Sequence, residues 1–167
     1  MMIVKTARLQ LRSLNIDDAA FILRLVNEPS FKSNISDKGV RNLDDAIRFI
    51  LEGPWTTQKK EGYGQFLIEL SSNRQPIGVC GLLYRDSLDV SDVGFALLPE
   101  YWGRGYAYEA AAAVLKYGHS TLRIDKICGL TSARNRASIR VLEKLRMKFV
   151  KIVKMSADDP GTVLYSE

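Results

Sequence analysis

Two glycines one residue apart, Gly103 and Gly105, separate the apolar run ending Leu97-Leu98-Pro99 from the alanine-rich run that begins at Tyr106. Glycine lets a backbone approach a ligand closely and take positive φ. A helix that starts just past such a turn aims its first, unpaired N–H groups back into it. The chemistry on offer is anion binding by main chain: a phosphate held by free N–H groups at the turn and favoured by the helix dipole. The plainer reading is a strand-to-helix turn with glycines for sterics, and so short a motif is decided by its surroundings. A second polar pair, Asn135 and Ser138, has the spacing of an N-cap and its N3 residue. Asp92 opens one apolar run and Glu109 falls in the first turn after the glycines. His119, the one histidine, ends a helix-like run and reads as a C-terminal cap.

These groups need elements to hold them. Residues 6–14 alternate apolar and polar side chains, the period of a half-buried strand, with Arg8 and Arg12 on one face. Asn15, with Asp18 three residues on, caps a first helix with the stripe Ala19, Ile22, Leu23 and Val26, and Glu28-Pro29 ends it. Residues 29–42 are polar and turn-rich; Asn42 and Asp45 then open a second helix that turns Ala46, Phe49 and Ile50 inward and stops at Gly53-Pro54. Residues 63–70, 76–84 and 92–98 read as three strands on short links, an antiparallel meander. A helix over 106–117 has small residues, Ala107, Ala110 and Ala111, along one side, which brings it close to the sheet. A strand over 124–130, a helix opening at Asn135 with Ile139, Leu142 and Leu145 inward, and strands over 149–155 and 162–165 complete the chain. The expected order is β-α-α-β-β-β-α-β-α-β-β: one α/β domain over residues 1–167 with a mixed, mostly antiparallel sheet flanked by helices.

Composition limits the partners. Of the 167 residues, 46% are hydrophobic and 26% charged, a globular balance with no run apolar enough to span a bilayer. Met1-Met2-Ile3-Val4-Lys5 lacks the apolar core of a signal peptide, and Cys80 and Cys128 sit inside strand-like runs rather than in a metal or disulfide pattern. Both are expected as buried free thiols in a reducing cytoplasm, with no metal site. The formal charge of +5 favours an acidic ligand without naming one. A nucleic-acid-binding role has only this charge behind it.

Four pieces in order resemble the GCN5-related N-acetyltransferase superfamily, and within it the ribosomal-protein alanine N-acetyltransferase-like branch. They are Thr6-x-Arg8-Leu9-x-Leu11-Arg12 with Asp18-Ala19; Pro76-Ile77-Gly78 with Gly81-Leu82; Gly94-Phe95 through Pro99, Trp102-Gly103-Arg104-Gly105-Tyr106-Ala107 and Glu109-Ala110; and Asn135-Arg136-Ala137-Ser138-Ile139 with Leu142-Glu143-Lys144-Leu145. The resemblance implies acetyl-CoA as cofactor, with its pyrophosphate in the glycine turn on the N–H groups of Gly103, Arg104, Gly105, Tyr106 and Ala107. It also implies a preceding strand that splays from its neighbour, so that backbone near Ala96, Leu97 and Leu98 pairs with the pantetheine arm and one N–H faces the thioester oxygen. Pro99 has no N–H, which places that donor before it.

For proton transfer the resemblance puts Ser138 near the sulfur as the acid, Asn135 on the pantetheine arm or at the splay, and Asp92, ahead of Glu109, as the base. The implied acceptor is a primary amine, of a protein N-terminus or of a small molecule, and the implied assembly a monomer or homodimer. Phe31, Trp55, Tyr63 and Tyr84 are candidates for an acceptor pocket; Arg41, Arg48, Lys59 and Lys60 read as a solvated basic face. Two positions depart from the pattern: Leu142 stands where relatives often carry an acid tyrosine, and Arg146 where they carry the glycine that ends the helix. These departures favour a rival reading, a catalytically silent acyl-CoA-binding or regulatory domain.

Overall fold

The computed structural model describes residues 1–167, apart from the side chains of Trp55 and Gln58. Its elements in chain order are β1 (Met2–Lys5), β2 (Leu9–Ser13), α1 (Ala19–Asn27), α2 (Pro29–Asn34), α3 (Leu43–Glu52), α4 (Pro54–Glu61), β3 (Gln65–Leu70), β4 (Pro76–Arg85), β5 (Val90–Leu97), α5 (Tyr106–Ser120), β6 (Ile127–Ser132), α6 (Arg136–Lys144), β7 (Lys148–Val153) and β8 (Thr162–Ser166). Short 3₁₀ turns precede α1 and follow β5. The eight strands form one sheet in the order β1-β2-β3-β4-β5-β6-β8-β7. Every neighbouring pair is antiparallel except β5 and β6, which run parallel.

The expected fold class holds, with three elements added. β1 carries no strand signal in the sequence, yet its four residues add an antiparallel edge to β2. The segment 29–42 begins with a helix rather than a loop, and Gly53-Pro54 separates α3 from α4 instead of ending helical structure. Both errors have one cause. Pro29 and Pro54 each begin a new helix, where the missing N–H costs nothing and the fixed φ is already helical.

Local signals elsewhere act as expected. Asn15 and Asp18 form a reciprocal capping box ahead of α1, and Asn42 Oδ1 accepts from Asp45 N–H at 2.8 Å to start α3. α1 and α3 bury Ile22, Leu25, Ala46 and Ile50 over one face of the sheet. On the other face lies α5, whose Ala110 and Ala111 are fully buried, with α6 contributing Leu142. The small residues allow the close approach of α5, and that fixes its N-terminus at the strand ends.

Candidate active site

β5 and β6 pair at only two positions, Ser91 with Ile127 and Asp92 with Cys128. Beyond them β5 stays with β4 as far as Leu97 while β6 stays with β8 as far as Ser132, so the facing edges part. The hydrogen-bond alternation of an antiparallel pair shows which backbone groups are left over. Leu98 N–H donates to Ile77 O at 2.9 Å, so Ala96 also faces β4, and the N–H groups of Leu97 and Phe95 face the gap. Leu97 O accepts from Trp102 Nε1 at 2.9 Å. Leu98 is therefore corrected: its N–H is spent on Ile77, its carbonyl accepts from Tyr101 N–H at 3.0 Å, and its side chain is buried. Phe95, missed among the ligand candidates, takes its place on the exposed edge; period-2 counting back from Leu97 would have found it.

The glycine turn lies where β5 ends. Gly103 has φ 70° and Gly105 φ 80°, both left-handed. Gly105 is the N-cap of α5 and supplies no side-chain cap. Among the described residues, no protein group accepts from the N–H groups of Gly103, Arg104, Gly105, Tyr106 or Ala107. Five consecutive donors at a helix N-terminus form a nest for an anion.

The turn is braced by a residue absent from the expected site. Arg8 donates from Nε to Glu109 Oε2 at 2.7 Å and from Nη1 to Arg104 O at 2.9 Å, and its guanidinium lies 4.6 Å from the Tyr106 ring centroid. A Cβ on Gly105 would stand 3.3 Å from Arg8 Nη2. The alternation that placed Arg8 beside Arg12 concealed this role, because Arg8 precedes β2 and only the fold brings it to α5. Glu109 in turn accepts from the Thr6 hydroxyl at 2.6 Å and from Arg8 N–H at 3.0 Å. Burial opposes its ionisation, but the Thr6 and Arg8 donors outweigh it and hold the carboxyl below its ordinary pKa. Glu109 is a brace, not a base.

Asp92 is 1% exposed and forms an ion pair from Oδ1 to Arg85 Nε. Burial pushes its pKa up, and Arg85 pulls against that shift. A Cβ on Gly94 would stand 3.3 Å from Gln65 Nε2, 3.6 Å from Leu83 Cδ1 and 4.0 Å from Asp92 Oδ2, so the carboxylate is closely packed. Asn135 caps α6, with Oδ1 accepting from Ser138 N–H at 3.2 Å. Ser138 is half-buried, and among the described residues its hydroxyl has no hydrogen-bond partner. Leu142, one turn further on, packs on Gly129 of β6, so closely that a Cβ there would come within 2.4 Å. It is a core residue, on the same face of α6 as Ser138.

Arg146 takes the position of the missing glycine in the glycine's own conformation, φ 65°. Its N–H donates to Glu143 O at 2.9 Å and Met147 N–H to Leu142 O at 3.1 Å, the bond pair of a Schellman cap.

Several other candidates have structural roles. Phe31 is buried in the core under α1 and α3, and Tyr63 packs at the main core with its hydroxyl 3.2 Å from Ser91 Oγ. Tyr84 is exposed and bonds Asp89. The Trp55 side chain lies outside the described residues. Arg41, Arg48 and Lys60 form surface ion pairs with Asp37, Asp45 and Glu61. His119 bonds Ile124 O at 2.7 Å and Glu167. Both cysteines are buried and unpaired; burial pushes the Cys128 thiol up to about 12 and Cys80 further still. No described helix is long and apolar enough to cross a membrane.

A mixed sheet parted at one parallel pair, with an anion nest at the end of one strand, defines an acetyltransferase of the GNAT class. The family model for the acetyltransferase (GNAT) domain matches residues 8–148, and the chain belongs to that family. Relatives include YkkB of Bacillus subtilis, an uncharacterized protein 31% identical over 89% of this chain and 87% of its own length. Another is the uncharacterized N-acetyltransferase YoaA of the same organism, 28% identical over 96% of this chain and 90% of its own. Among solved structures, the RimL ribosomal L7/L12 α-N-protein acetyltransferase in complex with coenzyme A matches with TM-score 0.86 at 15% identity, covering 100% of this chain and 97% of that one. An acetyltransferase from Agrobacterium tumefaciens matches with TM-score 0.83 at 23% identity, over 100% and 94%.

Proposed function

We propose that this chain is an acetyl-CoA-dependent N-acetyltransferase that passes acetyl directly to a primary amine, of a protein N-terminus or of a small molecule. The observation that carries this reading is the gap between β5 and β6 facing five unclaimed N–H groups at the start of α5. The residues fit the group: the nest at Gly103, Arg104, Gly105, Tyr106 and Ala107 suits a pyrophosphate, and the free edge at Phe95 and Leu97 suits an extended amide-bearing arm. Acetyl-CoA supplies the acetyl group activated as a thioester.

The chain's own groups bind, orient and move protons. Leu97 N–H, before Pro99, is the donor aimed at the developing negative oxygen. Asn135 fixes the entrance of α6 and hydrogen-bonds the arm. Ser138 Oγ–H delivers a proton to the departing sulfur, and Asp92, five residues back along β5 and roughly 16 Å from Leu97, takes one from the amine through a chain of waters. A raised pKa suits Asp92 to that task, since a base works best when matched to the working pH. An α-amine, with a reference pKa near 8 against about 10.4 for lysine, asks less of it. Arg146 caps α6 as a glycine would, which removes one support of the silent-domain reading; Leu142 packs on Gly129, and the acid role falls to Ser138. Buried, unpaired thiols suit a reducing cytoplasm.

Thiol release from acetyl-CoA with a panel of amines and N-terminal peptides tests the reading. Turnover with at least one class is expected, as is a rise in Tm on adding CoA. Tight CoA binding without turnover across the panel would return the silent domain. No Tm rise at CoA well above a micromolar Kd contradicts both readings.

A further inference from the structure

Phe149, Val150 and Ile152 are 55%, 51% and 63% exposed, although all three belong to one strand, β7. That strand ends the sheet and pairs only with β8. Alternate residues of an antiparallel strand turn their N–H and C=O groups away from the neighbour, so one row of β7 backbone groups points outward. Among the described residues, nothing beyond β8 bonds to the backbone of residues 148–153. The register also sorts the side chains, since directly opposed residues share a face. Phe149 opposes Tyr165 and Ile152 opposes Val163, both of the main core. A bulge between Phe149 and Lys151 puts these two apolar side chains, three residues apart, on one face. Lys148 opposes Ser166 and Lys151 opposes Leu164 on the other face, and among the described residues neither lysine forms an ion pair. Phe149 is held edge-on to Tyr165 with ring centroids 6.0 Å apart, and Ile152 lies against the turn at Gly161, where a Cβ would stand 3.2 Å from its Cγ2.

We infer that the β7 edge is a docking surface for an extended protein segment in which acidic and apolar residues alternate. Such a segment adds a strand to the sheet: its main chain bonds the outward row, its apolar side chains lie beside Phe149 and Ile152, and its carboxylates lie beside Lys148 and Lys151. Charge decides the occupant. A second copy paired antiparallel about a two-fold axis would bring both lysines of each protomer onto one shared face, and like charges across a strand pair are unfavourable. Lysines and a bulge guard an exposed edge against its own kind, while the same lysines attract an acidic strand. The formal charge of +5 acts in the same direction. The six residues of β7 span about 20 Å, so a segment of about six residues covers the edge. β6 and β8 separate β7 from the gap, and docking leaves the proposed active site open.

The test is fluorescence anisotropy of labelled, end-capped hexapeptides, one alternating glutamate with valine and one alternating lysine with valine, each titrated with the full chain. The glutamate peptide is expected to bind about tenfold or more tightly than the lysine peptide at low salt, and the difference shrinks as salt rises. Lys148→Glu/Lys151→Glu reverses the preference, and Phe149→Ser/Ile152→Ser weakens binding of the glutamate peptide, with a cooperative thermal transition showing both variants folded. N-methylation of the peptide backbone abolishes binding, because strand addition needs its N–H groups. Equal affinity for the two peptides, no binding of either, a preference that survives the lysine variant, or equal binding of the N-methylated peptide overturns the inference. So does a dimer in sedimentation that Phe149→Ser/Ile152→Ser dissociates, which assigns the edge to a second copy.

Discussion

The two ends of the site are built from different materials. The proposed cofactor end is main chain: five consecutive N–H groups from Gly103 to Ala107, shaped by two left-handed glycines and braced by Arg8 and Glu109. The proposed acceptor end is side chain: Asp92, ion-paired with Arg85. Backbone recognition depends on φ and ψ and tolerates many side chains, whereas side-chain recognition depends on which residues the topology makes neighbours. The first end is expected to be indifferent to conservative side-chain changes away from glycine, and the second acutely sensitive to them.

The largest effect is expected where the backbone itself is altered. Gly105→Val forces a β-branched residue into φ 80°, with its Cβ 3.3 Å from Arg8 Nη2. Loss of two charge-assisted bonds, each worth about 1.5–3 kcal/mol, lowers CoA affinity by roughly 100-fold or more, read by calorimetry on the folded variant. Unchanged affinity removes the contrast between the two ends.

Next is Asp92→Asn, which breaks the acceptor end alone. Loss of a general base lowers kcat by about 10²–10⁴-fold with CoA affinity intact. In the wild type the rate requires ionised Asp92, so activity falls as pH drops through its pKa. Burial places this acid limb above the ordinary aspartate range. A limb absent from the wild-type profile, or present in the variant, counts against Asp92.

Arg8→Gln sharpens the comparison from the other side, since it removes the brace and leaves every nest N–H in place. CoA affinity falls by about tenfold at most, with the acceptor KM unmoved. A kcat effect without a CoA effect would contradict the bracing role. The smallest change is Arg146→Gly, outside both ends. Relieving a left-handed non-glycine residue stabilises by about 1 kcal/mol, a Tm rise of about 2–4 °C, with activity unchanged.

The same contrast explains what was legible in the sequence. Gly103 and Gly105 announce the nest because a left-handed backbone demands glycine, and Asn135-x-x-Ser138 announces its helix because a cap has a fixed spacing. The bracing by Arg8 is silent, as its partner Glu109 lies far along the chain and nothing local marks the pair. The resemblance points to a stretch, Ala96 to Leu98, whereas strand alternation turns neighbouring residues to opposite edges and leaves Phe95 with Leu97 on the free one. Arg146 shows a local preference overridden: the Schellman bonds and the burial of Met147 hold an arginine where glycine is intrinsically better.

The backbone origin of the cofactor end is tested most directly by amide chemical shifts on titrating ¹⁵N-labelled protein with CoA. Shifts concentrated on Gly103, Arg104, Gly105, Tyr106, Ala107, Phe95 and Leu97, with Ala96 and Leu98 little moved, are the expected result. Saturable CoA binding that leaves those amides in place and moves others instead would contradict the account.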